Sequence, residues 1–379
     1  MREYMLVLLV AAVGCYLTAG LWRRIAARAG AMAPVRDRDV HTAPIPYFGG
    51  VAMLGGVGLA FLLASTLPFL GHHHSVTWDS LGIFLAAAVI CVVGAIDDMI
   101  DLPVITKVFG QVLAAGVAVS FGVRMYWISL PGRVIALDSV ASTIVTVVFI
   151  FVCVNAINLV DGLDGLAAGV VGIGASAMFC YTYFLAYESN LVLATTASLV
   201  TVTISGVCLG FLPHNVHPAM MFMGDSGSML LGLLLACSTI SFTGQMDASL
   251  LGSSLLGTGA LPAWLPLILP IAIMFIPLLD SVMAYIRRTI KGKWWFQADK
   301  QHLHHRLLDR GHTQVSATIV MYLWTATIAY GVMGIGLFNG WLVWTLIAVA
   351  CVISAATTMY PWFRRNSLNT APSTSSIVR

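Results

Sequence analysis

Charge is what this chain most lacks. Of its 379 residues, 9% are Asp, Glu, Lys or Arg, and only Glu3 and Glu188 are glutamates, against 14 aspartates. A soluble globular chain carries roughly 25% charged residues. So sparse a set cannot solvate a water-facing surface. A hydrophobic content of 59% and a mean hydropathy of +0.91 point to a bilayer as solvent. The composition excludes a soluble enzyme, a nucleic-acid-binding domain, a disordered chain and a fibrous protein. Closely spaced cysteines are missing too. Cys15, Cys91, Cys153, Cys180, Cys208, Cys237 and Cys351 lie in apolar runs, none within 26 residues of the next. There is no CxxC or metal-knuckle spacing, and they read as small packing residues. Alternating segments of about ten residues are absent, which argues against a membrane β-barrel.

What the chain does have is continuous apolar runs of about 20 residues, long enough to cross a ~30 Å hydrocarbon core. They lie near 4–22, 48–70, 81–97, 106–122, 140–157, 163–185, 191–211, 227–243, 262–285, 315–336 and 341–360. The expected fold class is an all-α integral membrane protein of about 11 transmembrane helices. Residues 1–360 form a single polytopic domain, and 361–379, rich in Ser, Thr and Asn, a disordered cytoplasmic tail. The first run does not read as a cleavable signal, because its basic cluster (Arg23, Arg24, Arg28) follows it.

Lys and Arg set the sidedness. With the N-terminus outside, 16 of the 19 fall at inside segments and only Arg2, Arg124 and Arg133 outside. The C-terminus is then cytoplasmic. The same orientation puts Asp37, Asp39, Asp97, Asp98, Asp101, Asp161, Asp164, Asp225, Asp299 and Asp309 on the inner side. Carboxylates gathered beside cations at one interface suit a metal and an anionic substrate.

Four motifs carry this. Asp97-Asp98 with Asp101 closes the third run, and two adjacent carboxylates repel unless a cation lies between them. Asn155, Asn158, Asp161 and Asp164 fall within ten residues between apolar spans. Polar groups at that depth line a cavity or bind something. Gly224-Asp225-Ser226-Gly227-Ser228 opens the eighth run, where free N–H groups favour anions and a carboxylate can hold a metal. The segment Arg287–Gln314 holds seven cations, His302-Leu303-His304-His305-Arg306 and the aromatics Trp294, Trp295 and Phe296. It reads as a surface patch with groups suited to phosphate oxygens. His72-His73-His74 falls outside, away from the Asp motifs, and reads as an outer loop. Together the four inner motifs suggest phosphoryl chemistry on a lipid.

The residues resemble the polyprenyl-phosphate N-acetylhexosamine-1-phosphate transferase family (glycosyltransferase family 4) across nearly the whole chain. The elements occur in order: His41 through Pro46 leading to Gly49-Gly50, Asp97-Asp98 with Lys107 and Gln111, Asn155 through Gly165, Asn215 and Pro218 before Met223–Ser228, and His302–Arg306. Tyr47 stands where family members commonly carry a basic residue. The His-Leu-His-His-Arg-Leu form and the count of 11 spans resemble the branch that uses UDP-N-acetylglucosamine, rather than the ten-span peptidoglycan branch.

The resemblance implies a Mg²⁺-dependent enzyme of the bacterial cytoplasmic (inner) membrane, with Mn²⁺ able to substitute. It implies transfer of N-acetylglucosamine 1-phosphate from UDP-N-acetylglucosamine to a polyprenyl phosphate, with release of UMP. Asp225, Asp98 and Asp161 are then the expected metal ligands. Asp97 or Asp98 binds metal or deprotonates and orients the lipid phosphate. His302, His304, His305 and Arg306 grip the diphosphate, and Lys107 a phosphate. His41, Asn155, Asn158, Asp161 and Asp164 contact substrate. No nucleic acid is expected as a partner, and a homodimer is left open. Two alternatives stand: the same family with UDP-N-acetylmuramoyl-pentapeptide or another UDP-N-acetylhexosamine, and, more remotely, an ion-coupled transporter.

Overall fold

The computed structural model describes residues 1–30, 32–33, 44–130, 133–189, 193–243, 271–272, 275–290, 303–338 and 340–369. It is mostly helical. In chain order come α1 (Arg2–Ala29), β1 (Met32–Ala33), β2 (Ile45–Pro46), α2 (Gly49–Thr66), α3 (His74–Ile100) and α4 (Val104–Ser120). Then follow β3 (Trp127–Leu130), β4 (Arg133–Ala136), α5 (Ser139–Val160), α6 (Leu166–Ser189), α7 (Leu193–Asn215) and α8 (Gly224–Thr243). The last are α9 (Phe275–Ile290), α10 (Leu303–Asp309), α11 (Gln314–Leu337) and α12 (Trp341–Asn369). The strands form two small antiparallel pairs, β1 with β2 and β3 with β4.

Among the described residues nine helices are long and apolar enough to cross a membrane. They match nine of the 11 expected runs. The run near 106–122 is α4, with 17 residues shorter than the others. Most of the run near 262–285 lies outside the described residues. Three boundaries differ by seven residues or more. The first helix continues past 22 through Arg23, Arg24 and Arg28 to Ala29, because charged residues end the apolar run without opposing a helix. The third span begins at His74, not 81, because Thr77, Asp79 and Ser80 lower the local hydropathy without opposing a helix. Ser80 satisfies its hydroxyl inside the helix by donating to the Val76 carbonyl at 2.6 Å. The last helix runs through Pro361 to Asn369, although an interior proline removes one helical hydrogen bond and crowds the preceding turn. Residues 370–379 lie outside the described set.

Helix is the form this sequence must take in lipid, where each backbone group needs an internal partner. The hydroxyls follow the same rule. In α7, Ser198, Thr201, Thr203 and Ser205 each donate to the carbonyl four residues back, at 2.7–2.9 Å. At the centre stands α8, buried at every residue from Ser226 to Phe242 and packed against α3, α5 and α7. Glycine makes this approach possible: a Cβ at Gly232 would lie 2.6 Å from Val154 Cα of α5. Around this axis α7 also packs on α1 and α6, α11 on α6, and α12 on α11.

His72, His73 and His74 sit at the start of α3, far in sequence from the Asp motifs. The His74 ring stacks on Trp78 at 6.2 Å and His73 meets Phe69 edge-on at 5.7 Å. Their described contacts are aromatic packing.

Candidate active site

The two adjacent carboxylates at the end of α3 are turned to different tasks. Asp97 Oδ1 accepts the Leu102 N–H at 2.8 Å, and its Oδ2 accepts from Lys107 Nζ at 3.0 Å. Asp101 ends the helix with φ 47°, and Pro103 precedes α4, so the chain reverses and brings Lys107 back over Asp97. Asp98 points into the start of α8. Its Oδ1 accepts the Asp225 N–H at 2.7 Å, and its Oδ2 accepts the Ser226 hydroxyl at 2.9 Å and the Ser226 N–H at 3.3 Å. Asp98 is thus the cap of α8, supplied by another helix. It occupies the positive end that helix N-termini offer to anions.

Asp225 sits on that first turn, after Gly224 at φ 69°. One oxygen meets Lys107 Nζ in an ion pair, and the other accepts from Asn158 Nδ2 at 2.8 Å. Asn158 also donates to Ser228 Oγ at 2.9 Å. Asp97, Lys107, Asp225 and Asn158 therefore form one chain of contacts across α3, α4, α8 and α5. It is partly open: the side chains of Asp97, Lys107 and Asp225 are 12%, 22% and 31% exposed. Asn155 lies one helical turn away from Asn158. Its amide donates to Gln111 Oε1 at 2.9 Å and to the Phe151 carbonyl at 2.8 Å, tying α5 to α4 below Lys107.

The loop between α5 and α6 brings in more carboxylates. Burial pushes Asp161 up to about 8, and the charges of Asp225, Asp98 and Asp164 push in the same direction. Asp164 Oδ2 faces His217 Nδ1 at 2.7 Å and accepts the Ala219 N–H at 3.2 Å. Asn215, the last residue of α7, accepts the Gly165 N–H at 3.0 Å and donates to the Met221 carbonyl at 2.9 Å. The segment leading into α2 joins from the other side. Phe222 N–H donates to the Pro46 carbonyl at 3.0 Å, and Gly49 and Gly50 N–H donate to the Phe222 and Met223 carbonyls at 3.1 Å. Motifs more than 150 residues apart in the chain are thus bonded into one end of the bundle.

The fourth motif reaches this end through α10. Leu307 is buried with Val160, Leu163, Leu166 and Val170, and Leu308 packs on the same group. The helix that carries His304, His305 and Arg306 is thereby docked on the Asp161–Gly165 loop. Arg306 is exposed. His41 and His302 lie outside the described residues, as do the side chains of His304 and His305. Cutting Leu307 to Ala removes this anchor, and a buried Leu→Ala change costs about 2–5 kcal/mol. The expected outcome is a lower unfolding temperature in detergent and turnover reduced more than about tenfold. Wild-type values in both assays would show that α10 is held by other means.

A family model described as glycosyl transferase family 4 matches residues 80–243, the stretch that holds three of the four motifs. The chain is 40% identical over 369 residues to a Mycobacterium tuberculosis protein named decaprenyl-phosphate N-acetylglucosaminephosphotransferase, covering 96% of this chain and 90% of that one. The chain belongs to glycosyl transferase family 4. A Bacillus subtilis family member, named probable undecaprenyl-phosphate N-acetylglucosaminyl 1-phosphate transferase, is 34% identical over 303 residues, covering 79% of this chain and 76% of that one. A Mycobacterium bovis phospho-N-acetylmuramoyl-pentapeptide-transferase is 28% identical over 334 residues, covering 78% and 85%.

For a family member, the donor set decides which metal the site fits. Asp97, Asp98, Asp161, Asp164 and Asp225 share this end; Lys107 pairs with Asp97 and Asp225, and His217 faces Asp164. The elevated Asp161 marks a place where a cation would lower the energy. Among the described residues no three His, Cys, Asp or Glu converge as a closed metal cage requires. Mg²⁺ does not need such a cage. It takes one or two carboxylates, keeps waters and completes its shell with substrate phosphates. Asp98 still has lone pairs to offer beyond its three hydrogen bonds.

Several residues that build the site do not stand out in the sequence. His217 lies beside Pro218, a match to the family, and that neighbour is the signal it offers. Ser226 and Ser228 lie within the Gly224–Ser228 motif without a role of their own there, and Gln111 and Asn215 enter only as matches to the family. Tyr322 of α11, whose hydroxyl donates to the Gly165 carbonyl at 2.5 Å, sits in an apolar run that gives no hint of it.

Proposed function

We propose that this chain transfers N-acetylglucosamine 1-phosphate from UDP-N-acetylglucosamine to a polyprenyl phosphate in the bacterial cytoplasmic membrane. The products are polyprenyl-diphospho-N-acetylglucosamine and UMP. One observation carries the reading: a family member related over almost its entire length has its carboxylates and Lys107 joined at one end of an apolar helical bundle. The donor assignment leans on the greater identity to N-acetylglucosamine-phosphate transferases, 40% against 28% for the muramoyl-pentapeptide enzyme. The charge rule places this end on the cytoplasmic side, with the N-terminus outside.

In the reaction an oxygen of the lipid phosphate attacks the β-phosphorus of the donor, and the bond to the α-phosphate oxygen breaks. Both reactants are anions, so the protein's task is to hold them in line and offset their repulsion. Lys107 contacts a phosphate oxygen from its place between Asp97 and Asp225. Asp97 holds that ammonium in position at 3.0 Å, and Asp97 or Asp98 orients or deprotonates the lipid phosphate. Asn158 fixes the Asp225 carboxylate. His302, His304, His305, Arg306 and His41 bind the diphosphate and sugar from the neighbouring segments. Asp225 with Asp98 and Asp161 would hold Mg²⁺, which would supply charge neutralisation of the diphosphate.

The test is transfer by purified protein with Mg²⁺, polyprenyl phosphate and labelled UDP-sugars. Label from UDP-N-acetylglucosamine should enter the lipid-extractable fraction with release of UMP, not UDP. Label entering only from the muramoyl-pentapeptide donor would overturn the donor assignment. Chelation with EDTA is expected to remove at least about 99% of the rate, and Mg²⁺ to restore it. Undiminished transfer in EDTA would refute the metal assignment.

A further inference from the structure

We propose that His217 binds a phosphate of the uridine nucleotide, with Asp164 orienting its ring; the inference rests on the transfer reaction proposed above. The ring Nδ1 lies 2.7 Å from Asp164 Oδ2, and the same oxygen accepts the Ala219 N–H at 3.2 Å. Asp164 is thus held from two sides, its side chain 13% exposed, while the histidine remains 42% exposed. That difference matters. A histidine that only fastened a loop would gain from burial of the whole ring, whereas here one edge is fixed and the other stays open. With Nδ1 facing a carboxylate, Nε2 is the ring nitrogen left for a ligand.

Charge balance says what that edge takes. A nucleoside diphosphate brings several negative charges to an end of the protein already holding Asp97, Asp98, Asp161, Asp164 and Asp225. Lys107 is engaged with two of these carboxylates. An imidazole set between a carboxylate and a phosphate oxygen can offer one ring N–H to each. The loop supports the placement. His217 lies between Asn215, which is bonded to Gly165, and Phe222–Met223, which lead into the turn of Asp225. His217 therefore belongs to the segment that joins the Asp161–Gly165 loop to Asp225. The motif pattern gives only its neighbour Pro218 as a signal, because its carboxylate partner lies 53 residues away in the chain.

The experiment compares His217→Ala, His217→Gln and His217→Arg in the full-length protein in detergent with Mg²⁺. Calorimetric binding of UMP and of uridine is measured, together with KM for donor and lipid acceptor. Glutamine can still donate to Asp164, so it keeps the clamp and loses the cation. UMP binding is expected to weaken about tenfold in both His217→Ala and His217→Gln, the loss of one charge-assisted hydrogen bond. Uridine binding and the acceptor KM should stay within about twofold, and His217→Arg should recover most of the UMP affinity. Wild-type UMP binding in His217→Gln would overturn the proposal and leave a loop clamp, as would parallel losses for UMP, uridine and acceptor. Absence of UMP binding to the wild type would also overturn it. If the wild type binds UMP in a His217-dependent way yet transfers no sugar phosphate, the reaction assignment fails and the phosphate contact stands.

Discussion

Turnover in Asp225→Ala is expected to fall by at least about 10³-fold, the scale for losing a group that organises charge at a phosphoryl transfer. The carboxylate holds together two sides of the site. One oxygen meets Lys107, and the other takes the Asn158 amide at 2.8 Å. Without it, Lys107 retains Asp97 and shifts toward it, and Asn158 retains only Ser228. The proposed Mg²⁺ ligand is lost as well. Asp225→Asn separates these effects, because its amide keeps the shape and one acceptor oxygen but removes the charge. It is expected to fold as the wild type and to fall nearly as far in rate. The check is the initial rate of label entering lipid, normalised to monodisperse protein after gel filtration. A rate within tenfold of wild type in Asp225→Ala would remove Asp225 from the reaction.

Why the site's location was legible and its wiring was not follows from what each residue contrasts with. In a chain with 9% charged residues, every inner aspartate stands out against an apolar background. That contrast located Asp97-Asp98, Asn155–Asp164 and Gly224–Ser228, and the Lys and Arg distribution put them on one side. Sequence spacing does not say which way neighbouring side chains turn. Asp97 and Asp98 are identical in type and adjacent. Only the packing of α8 against α3 reveals that Asp98 caps a helix while Asp97 holds Lys107. Asn155 and Asn158 share a face at i, i+3, yet one turn of helix separates a tether to Gln111 from a contact with Asp225. The helices were legible from hydropathy wherever the run was unbroken. Their ends depart from the hydropathy at Arg23–Ala29, at Thr77–Ser80 and at Pro361, where apolar content and helix extent diverge.

Gly94 carries no functional group, and its substitution provides the second large effect. It lies in α3 one turn before Asp98, where a Cβ would stand 2.5 Å from both N and Cα of Ser226. Real Cβ atoms do not approach backbone so closely, so in Gly94→Ala either α3 or the first turn of α8 must move. A shift of about 1 Å at reacting groups can cost about 10²-fold in rate, and Gly94→Ala is expected to lose at least that much. The movement draws Asp225 and Ser226 away from Asp98, which accepts from both, while each of the proposed catalytic side chains remains present. Protein yield, membrane insertion and gel-filtration profile should stay close to wild type, because α8 keeps its packing against α5 and α7 along the rest of its length. Gly116 of α4 serves as the control. A Cβ there meets nothing within 4 Å, and Gly116→Ala should leave the rate within about twofold and add slightly to helix stability. Equal rates for the two variants would mean that the distance between α3 and α8 does not govern the reaction. A large loss at Gly94 alone would locate the requirement in the spacing of the two helices rather than in any one side chain.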